Sequence, residues 1–147
     1  MIRAMTLNDY EKVYDLWMKI KGFAIRSIDD SKEGVERFLN RNPGISVVAE
    51  EDDRIVGAIL CGHDGRRGCM YHVCVDPDYR LKGIGKSMVV FAMEALKKEK
   101  INKVSLIAFT KNDIGNAFWK EIGWTKREDL NYYDFTLNEE NISAFNS

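Results

Sequence analysis

The chain has 147 residues, 45% of them hydrophobic, which is enough for one continuous core, so the sequence predicts a single domain over residues 1–147. Its 22 Lys and Arg side chains nearly balance its 23 Asp and Glu side chains, which argues against an overall basic field that would bind nucleic acid or an anionic membrane. No apolar run approaches the roughly 20 residues that span a bilayer, and the first residues do not resemble a secretion signal, so a cytoplasmic protein is expected.

The cysteines favour neither a disulfide framework nor a metal site. Cys61, Cys69 and Cys74 are odd in number, have no C-x-x-C spacing and fall within apolar runs. The pattern predicts buried free thiols and no metal.

The first part of the chain has the spacing of two helices. Thr6 is a suitable N-cap, with Asp9 three residues further on, and apolar side chains then recur on one helix face. A second helix is predicted to begin at Asp30 or Ser31 and to end before Pro43.

Three apolar runs rich in β-branched residues follow these helices and predict an antiparallel meander. The runs are Ile45–Ala49, Ile55–Cys61 and Cys69–Val75. The third strand should end at Asp76-Pro77, because proline cannot donate a hydrogen bond to a ladder.

Strand and helix patterns then alternate to the end of the chain. Apolar residues from Ile84 to Leu96 keep the spacing of a helix, with Lys97, Lys98 and Lys100 at its C-terminal end. A strand follows at Val104–Phe109 and lies parallel to the third meander strand through a crossover. A last helix around Asn116–Ile122 and a closing strand at Tyr132–Leu137 complete the pattern. Together these elements predict an α/β (α+β) fold with about four helices and a mixed sheet of six to seven strands. Its N-terminal part is antiparallel, and one parallel pair follows.

The start of the helix at Ile84 has the features of an anion site. The first backbone N–H groups of a helix have no acceptor inside it, and the positive end of the helix dipole lies at the same place. Gly83 and Gly85 allow a ligand to approach the backbone closely, and Arg80, Lys82 and Lys86 add positive charge. The segment therefore predicts a site for an anion, most naturally a pyrophosphate.

The spacing separates this loop from two other glycine motifs. A Walker loop ends in G-K-S, as Gly85-Lys86-Ser87 does, but its required first glycine is replaced by Arg80. A dinucleotide fingerprint needs a third glycine or alanine where this chain has Met88. The remaining alternative is a plain helix start with two glycines.

Two segments in order resemble the GNAT acetyltransferases. The pattern V-x-P-x-x-R-x-x-G-I-G from Val75 to Gly85 resembles their motif A, and Asn112–Trp124 resembles the motif that follows it. Shorter stretches, Asp64–Gly68 and Arg127–Tyr133, are similar to small bacterial members of the subgroup that includes the ribosomal-protein N-terminal acetyltransferases. The resemblance implies a single-domain GNAT fold, with the parallel strand pair around the cofactor site.

The resemblance also implies the cofactor and the reaction. Acetyl-CoA would donate its acetyl group to a primary amine, on a small molecule or on a protein or peptide N-terminus, and would leave as coenzyme A. The residues that the resemblance assigns to cofactor binding are Val73, Cys74, Val75, Arg80, Leu81, Lys82, Gly83, Ile84, Gly85, Lys86, Ser87, Asn112, Phe118 and Trp119. The pyrophosphate would bind backbone amides of the loop, and the pantetheine arm would lie in a splay between the two parallel strands.

The catalytic groups depart from the family pattern. Trp119 occupies the position of the usual tyrosine acid, and Ile107 occupies that of a glutamate base. His72 and Tyr133 are the candidates for proton transfer. Neighbouring strand residues face opposite sides, so Tyr71 and His72 can share a face only where a bulge intervenes.

The departures leave a second hypothesis open, namely an acyl-CoA-binding module with weak or no turnover. A P-loop nucleotide enzyme is a third. The identity of the amine and the choice between monomer and homodimer also stay open.

Overall fold

The computed structural model describes residues 1–146 and contains seven strands and four α-helices in that range. The strands are β1 (Ile2–Ala4), β2 (Ala24–Arg26), β3 (Val47–Glu51), β4 (Arg54–His63), β5 (Gly68–Val75), β6 (Val104–Leu106) and β7 (Ser143–Phe145). The helices are α1 (Tyr10–Lys19), α2 (Lys32–Arg41), α3 (Ile84–Lys98) and α4 (Asp113–Glu121). Short 3-10 turns at Leu7–Asp9 and Pro77–Tyr79 precede α1 and α3.

The strands form two sheets. The larger has five strands in the order β1-β3-β4-β5-β6, and every neighbouring pair is antiparallel except β5 with β6. The smaller is the antiparallel ribbon β2–β7. The predicted mixed α/β fold, with a meander followed by one parallel pair, is confirmed.

Short-range signals start the helices where the sequence predicts. The Asp9 carboxylate accepts a hydrogen bond from the Thr6 amide at 2.9 Å, and Ser31 Oγ accepts one from the Gly34 amide at 3.1 Å. These side chains satisfy amides that the first helical turn leaves without partners.

The helices cover both faces of the five-stranded sheet, as in other layered α/β proteins. One core cluster joins α1 and β4 around Trp17, and the other joins α3 to the sheet around Met88. Burying an apolar side chain of this size contributes roughly 1.5–3 kcal/mol, so these clusters fix α1 and α3 against opposite faces.

The C-terminal part corrects the sequence prediction. Tyr132–Leu137 forms no strand, and the last strand is instead β7, which pairs with β2. The alternating pattern of 132–137 is that of a half-buried strand, but no neighbouring strand lies beside it in the described chain. The predicted strand at 104–109 is also shorter, because β6 ends at Leu106.

Two of the predicted buried thiols are confirmed. All three cysteines are free, and burial raises the pKa of Cys61 and of Cys74 to about 12. Cys69 is partly exposed. None of the helices within residues 1–146 is both long and apolar enough to cross a bilayer.

Candidate active site where β5 and β6 separate

The sheet opens between its two parallel strands. β5 and β6 are paired from Gly68↔Val104 to Met70↔Leu106 and no further, although β5 continues to Val75. The last part of β5 therefore has β4 on one side only. This separation is the splay that the family resemblance implied, and it leaves one side of β5 open to a ligand.

A β-bulge changes the direction of side chains in this part of β5. Ala58 pairs with Cys74 and Leu60 pairs with Tyr71, so two residues of β5 oppose one residue of β4. His72 lies in the bulge with φ of 50°, in the left-handed region that non-glycine residues rarely adopt. The bulge lets Tyr71 and His72 face the same side, the side covered by α1 and α2.

His72 is held in a defined position. Its ring lies between Trp17 and Phe23, with centroid distances of 4.9 Å to each. His72 Nε2 is 2.9 Å from Asp30 Oδ1, and the two side chains are only 12% and 5% exposed. The Arg26 amide donates to the other oxygen of Asp30 at 2.7 Å, which orients the carboxylate. The site thus contains a histidine and carboxylate pair at the end of the splay.

Asp30 is a site residue that the sequence did not reveal as the partner of His72. The two lie 42 positions apart, and the sequence indicates Asp30 only as the start of a helix. The bulge in β5 turns His72 towards α1 and α2, and the segment before α2 places Asp30 beside it. No local sequence pattern predicts either feature.

A buried aspartate anchors the loop that follows β5. Asp76 accepts hydrogen bonds from Lys19 Nζ at 2.7 Å and from the Asp78 amide at 3.0 Å. Burial alone would raise the pKa of Asp76, but these hydrogen bonds and the nearby Arg54 charge outweigh it and lower the pKa below its usual value. The carboxylate therefore fixes the start of the loop in its ionised form.

The loop then presents a row of unpaired amides. Leu81 and Gly83 have φ of 64° and 80°, which turn the chain into α3. Within residues 1–146, no hydrogen bond joins the backbone N–H groups of residues 81–86 to a protein acceptor, and the next amide, that of Ser87, bonds to the Gly83 carbonyl at 3.0 Å. No acidic side chain lies in the first turn of α3. The loop and the first turn of α3 thus offer six consecutive donors, and those of residues 84–86 lie in the helix at the positive end of its dipole.

Basic side chains surround these donors. Arg80 Nε donates to the Val75 carbonyl at 3.3 Å, and Lys82 Nζ lies 5.2 Å from the centre of the Tyr79 ring. Lys86 is exposed on the first turn of α3. These positions favour an anion at the start of the helix.

Helix α4 brings its aromatic residues against the same place. A Cβ added to Gly85 would lie 3.2 Å from the Phe118 ring and 3.6 Å from Val75, so these three residues are in close contact. Trp119 packs between Phe118 and Trp124, with ring centroids 5.0 and 4.6 Å away. The indole of Trp119 is therefore part of an aromatic cluster beside the loop.

Other predicted site residues have more specific local roles. Asn112 Oδ1 accepts a hydrogen bond from the Gly115 amide at 3.0 Å, so Asn112 is the N-cap of α4. The Cys74 side chain is buried in the core, which leaves only its backbone for a ligand. Val73 and Val75 are partly buried against the α3 core.

Within residues 1–146, Tyr133 forms neither a hydrogen bond nor a ring contact with His72, whose partners are Asp30, Trp17 and Phe23. The Tyr133 side chain is 86% exposed and makes no hydrogen bond within residues 1–146. Ile107 is 68% exposed just beyond the end of β6 and supplies no proton acceptor.

Comparisons with known proteins agree with this geometry. The sequence profile described as "Acetyltransferase (GNAT) family" matches residues 10–124. The chain belongs to the GNAT acetyltransferase family. An acetyltransferase of Sodalis glossinidius is 30% identical over 129 residues, which cover 88% of this acetyltransferase and 89% of the relative.

Solved structures of the family share its fold. The PaiA N-acetyltransferase of Thermoplasma acidophilum, solved with coenzyme A, superposes with a TM-score of 0.75 at 20% identity, over 89% of this chain and 92% of that one. The ribosomal-protein-alanine N-acetyltransferase of Brucella melitensis biovar Abortus 2308 gives a TM-score of 0.68 at 18% identity, over 92% and 98% of the two chains. The predicted family, the acetyl-CoA cofactor and the class of enzyme, an N-acetyltransferase, are confirmed.

The residues present suit that cofactor. Six unpaired amides with three nearby cations match the charge and the acceptor oxygens of a diphosphate. The open side of β5 offers backbone groups to an extended ligand chain.

Proposed function

We propose that this acetyltransferase transfers an acetyl group from acetyl-CoA to a primary amine, on a small molecule or on a peptide N-terminus. The observation that carries the proposal is the row of unpaired amides at residues 81–86, which opens beside the splay of β5 and β6. We expect the enzyme to act in the cytoplasm.

The loop and the start of α3 would hold the diphosphate. The amides of residues 81–86 would donate to its oxygens, and Arg80, Lys82 and Lys86 would neutralise its charge. Phe118 would pack beside the pantetheine arm, and backbone groups of Val73 and Val75 would orient it along β5.

His72 and Asp30 would handle the proton of the amine. Acetyl-CoA, when bound, supplies an acetyl thioester whose thiolate is the leaving group. An attacking amine must be neutral and must lose a proton as its bond to carbon forms. If Nε2–H donates to Asp30, the lone pair of His72 Nδ1 can accept that proton, and the carboxylate stabilises the resulting imidazolium.

Tyr133 remains the candidate for the acid that protonates the leaving thiolate. Trp119 cannot take that role, because an indole N–H donates a hydrogen bond but does not release its proton here. A thiolate also leaves without full protonation near neutral pH, since its pKa is low for a leaving group.

The test is to add amines to the purified chain with acetyl-CoA and to follow the release of free thiol. The panel should contain polyamines, amino acids, aminoglycosides and short peptides. Thiol release that depends on one class of amine is the expected result. Tight binding of acetyl-CoA without release for any amine would instead indicate an acyl-CoA-binding module.

A further inference from the structure

Two side chains lie next to the His72–Asp30 pair and take no part in the proposed proton transfer. Asp29 directly precedes Asp30, so the Cα atoms of the two aspartates are about 3.8 Å apart. Tyr71 directly precedes His72, and the bulge turns both of these side chains to the face that α1 and α2 cover. Asp29 and Tyr71 are therefore available for contacts with the part of the acceptor that does not react.

The Asp29 carboxylate is held in place by a neutral partner. Asn141 Oδ1 accepts hydrogen bonds from the Ile28 and Asp29 amides at 2.9 and 3.1 Å, and Asn141 Nδ2 donates to Asp29 Oδ2 at 2.8 Å. Within residues 1–146, Asp29 forms no salt bridge, and its Oδ1 accepts no hydrogen bond. The carboxylate is thus oriented, its charge is not neutralised by a partner, and one of its oxygens is open to a donor.

The charge around this turn is negative. Residues 23–31 contain two aspartates and one basic residue, Arg26, whose side chain is exposed on β2. The next basic residue, Lys32, is paired with Glu11 at 2.7 Å. A positive group of a ligand that enters here would therefore meet more negative charge than positive charge.

The Tyr71 ring provides an aromatic surface beside the carboxylate. It is 50% exposed and packs edge-on against Phe38, with the ring centroids 5.9 Å apart. A hydrogen bond with Cys69 and burial raise the pKa of Tyr71, and the negative charge of Asp29 raises it further, so the hydroxyl is neutral at pH 7. An ammonium group is attracted both to a carboxylate and to the face of an aromatic ring.

We propose that the acceptor is a diamine or a longer polyamine, with one neutral amine at His72 and a second, protonated amine between Asp29 and the Tyr71 ring. The proposal rests on the proposed acetyl transfer at His72, and it names the class of amine. The second ammonium would donate to Asp29 Oδ1. A monoamine lacks this contact, and Asp29 would repel an acceptor that carries a carboxylate next to its amine.

The first test compares amines that differ only in the second charge. Putrescine and cadaverine are set against butylamine and pentylamine, which have the same carbon chains and a single amine, and the release of thiol from acetyl-CoA is followed. The kcat/KM for the diamines should be roughly tenfold higher, because the second ammonium gains both contacts. A diamine that reacts no faster than its monoamine would overturn the proposal.

Variants assign this preference to the two residues. Asp29→Asn should raise the KM for putrescine about fivefold and leave the kcat/KM for butylamine within twofold. Glu36→Gln is the matched control, because it removes the same charge from an exposed position on α2 and should leave the preference unchanged. Tyr71→Phe keeps the ring and should keep the preference, whereas Tyr71→Leu should lower it about threefold. A preference that survives in Asp29→Asn would contradict the assignment.

A binding measurement separates the site from the reaction. Putrescine is titrated by calorimetry into the chain saturated with coenzyme A, where no transfer takes place. Binding that weakens in Asp29→Asn and not in Glu36→Gln is expected. That result would support the site even if no amine released thiol, in which case the proposed acetyl transfer alone would fail. If putrescine neither binds nor reacts, the proposed site is wrong.

Discussion

The two halves of the site differ in how the chain builds them. The half proposed to bind the cofactor, from Asp76 to Ser87, comes from consecutive residues in which a buried anchor, a turn and a helix start follow one another. The half proposed to act on the acceptor joins residues that are far apart, namely His72, Asp30 and the rings on either side of His72. The first half can be read from a short segment, whereas the second exists only after the sheet and helices have packed.

The largest effect that separates the halves is expected for His72→Ala. Loss of the proposed base should lower kcat by about 100-fold or more, while the affinity for acetyl-CoA stays as it is. His63→Ala is the matched control, because the chain has two histidines and His63 pairs with Glu99 at 2.8 Å, away from the splay. Steady-state kinetics and calorimetry measure the two quantities. An unchanged kcat in His72→Ala would remove the histidine from the mechanism.

A charge reversal in the loop should instead lower the affinity for acetyl-CoA. Lys82→Glu places a carboxylate beside the unpaired amides and should weaken acetyl-CoA binding roughly 30-fold by repulsion and loss of a cation. Lys98→Glu makes the same change of charge at the other end of α3 and should bind normally. Titration calorimetry of both variants checks the prediction, and equal weakening in the two would indicate a general effect of net charge.

The contribution of Asp76, which anchors the loop, should be measurable in the free energy of unfolding at neutral pH. Asp76→Asn should lower the free energy of unfolding by about 1.5 kcal/mol, because the buried ion pair with Lys19 is lost. Since the folded pKa of Asp76 lies below the ordinary value of 3.8, the wild type loses this stabilisation as the pH falls below about 4. Urea unfolding at several pH values should therefore show the gap between wild type and variant narrowing towards acid pH. A gap that is constant with pH would contradict the ionised anchor.

The smallest effect is expected for Asn112→Ala. Removing the N-cap of α4 should cost about 1 kcal/mol of stability and leave acetyl-CoA affinity within twofold. Thermal unfolding and calorimetry on the same sample measure both. A large loss of affinity at unchanged stability would show that the asparagine contacts the cofactor directly.

Much of the fold follows from local patterns, and the parts that do not have clear physical causes. The capping residues Thr6 and Ser31, and the glycine turn into α3, act over a few positions, so the sequence indicates them directly. The parallel pairing of β5 and β6 follows from the crossover rule.

The sequence does not predict the bulge at His72, because a single extra residue does not interrupt an apolar run. Residues 132–137 show the opposite error, because their alternation is typical of a strand but no described strand lies beside them.

The central claim is that the amides at the start of α3 bind the diphosphate of acetyl-CoA. The most direct measurement is a titration of ¹⁵N-labelled protein with acetyl-CoA, followed by the amide resonances. The amides of residues 81–86 should show the largest shifts, because they gain acceptors that the protein does not supply. Saturating shifts centred on another part of the chain, with those amides unchanged, would contradict the claim.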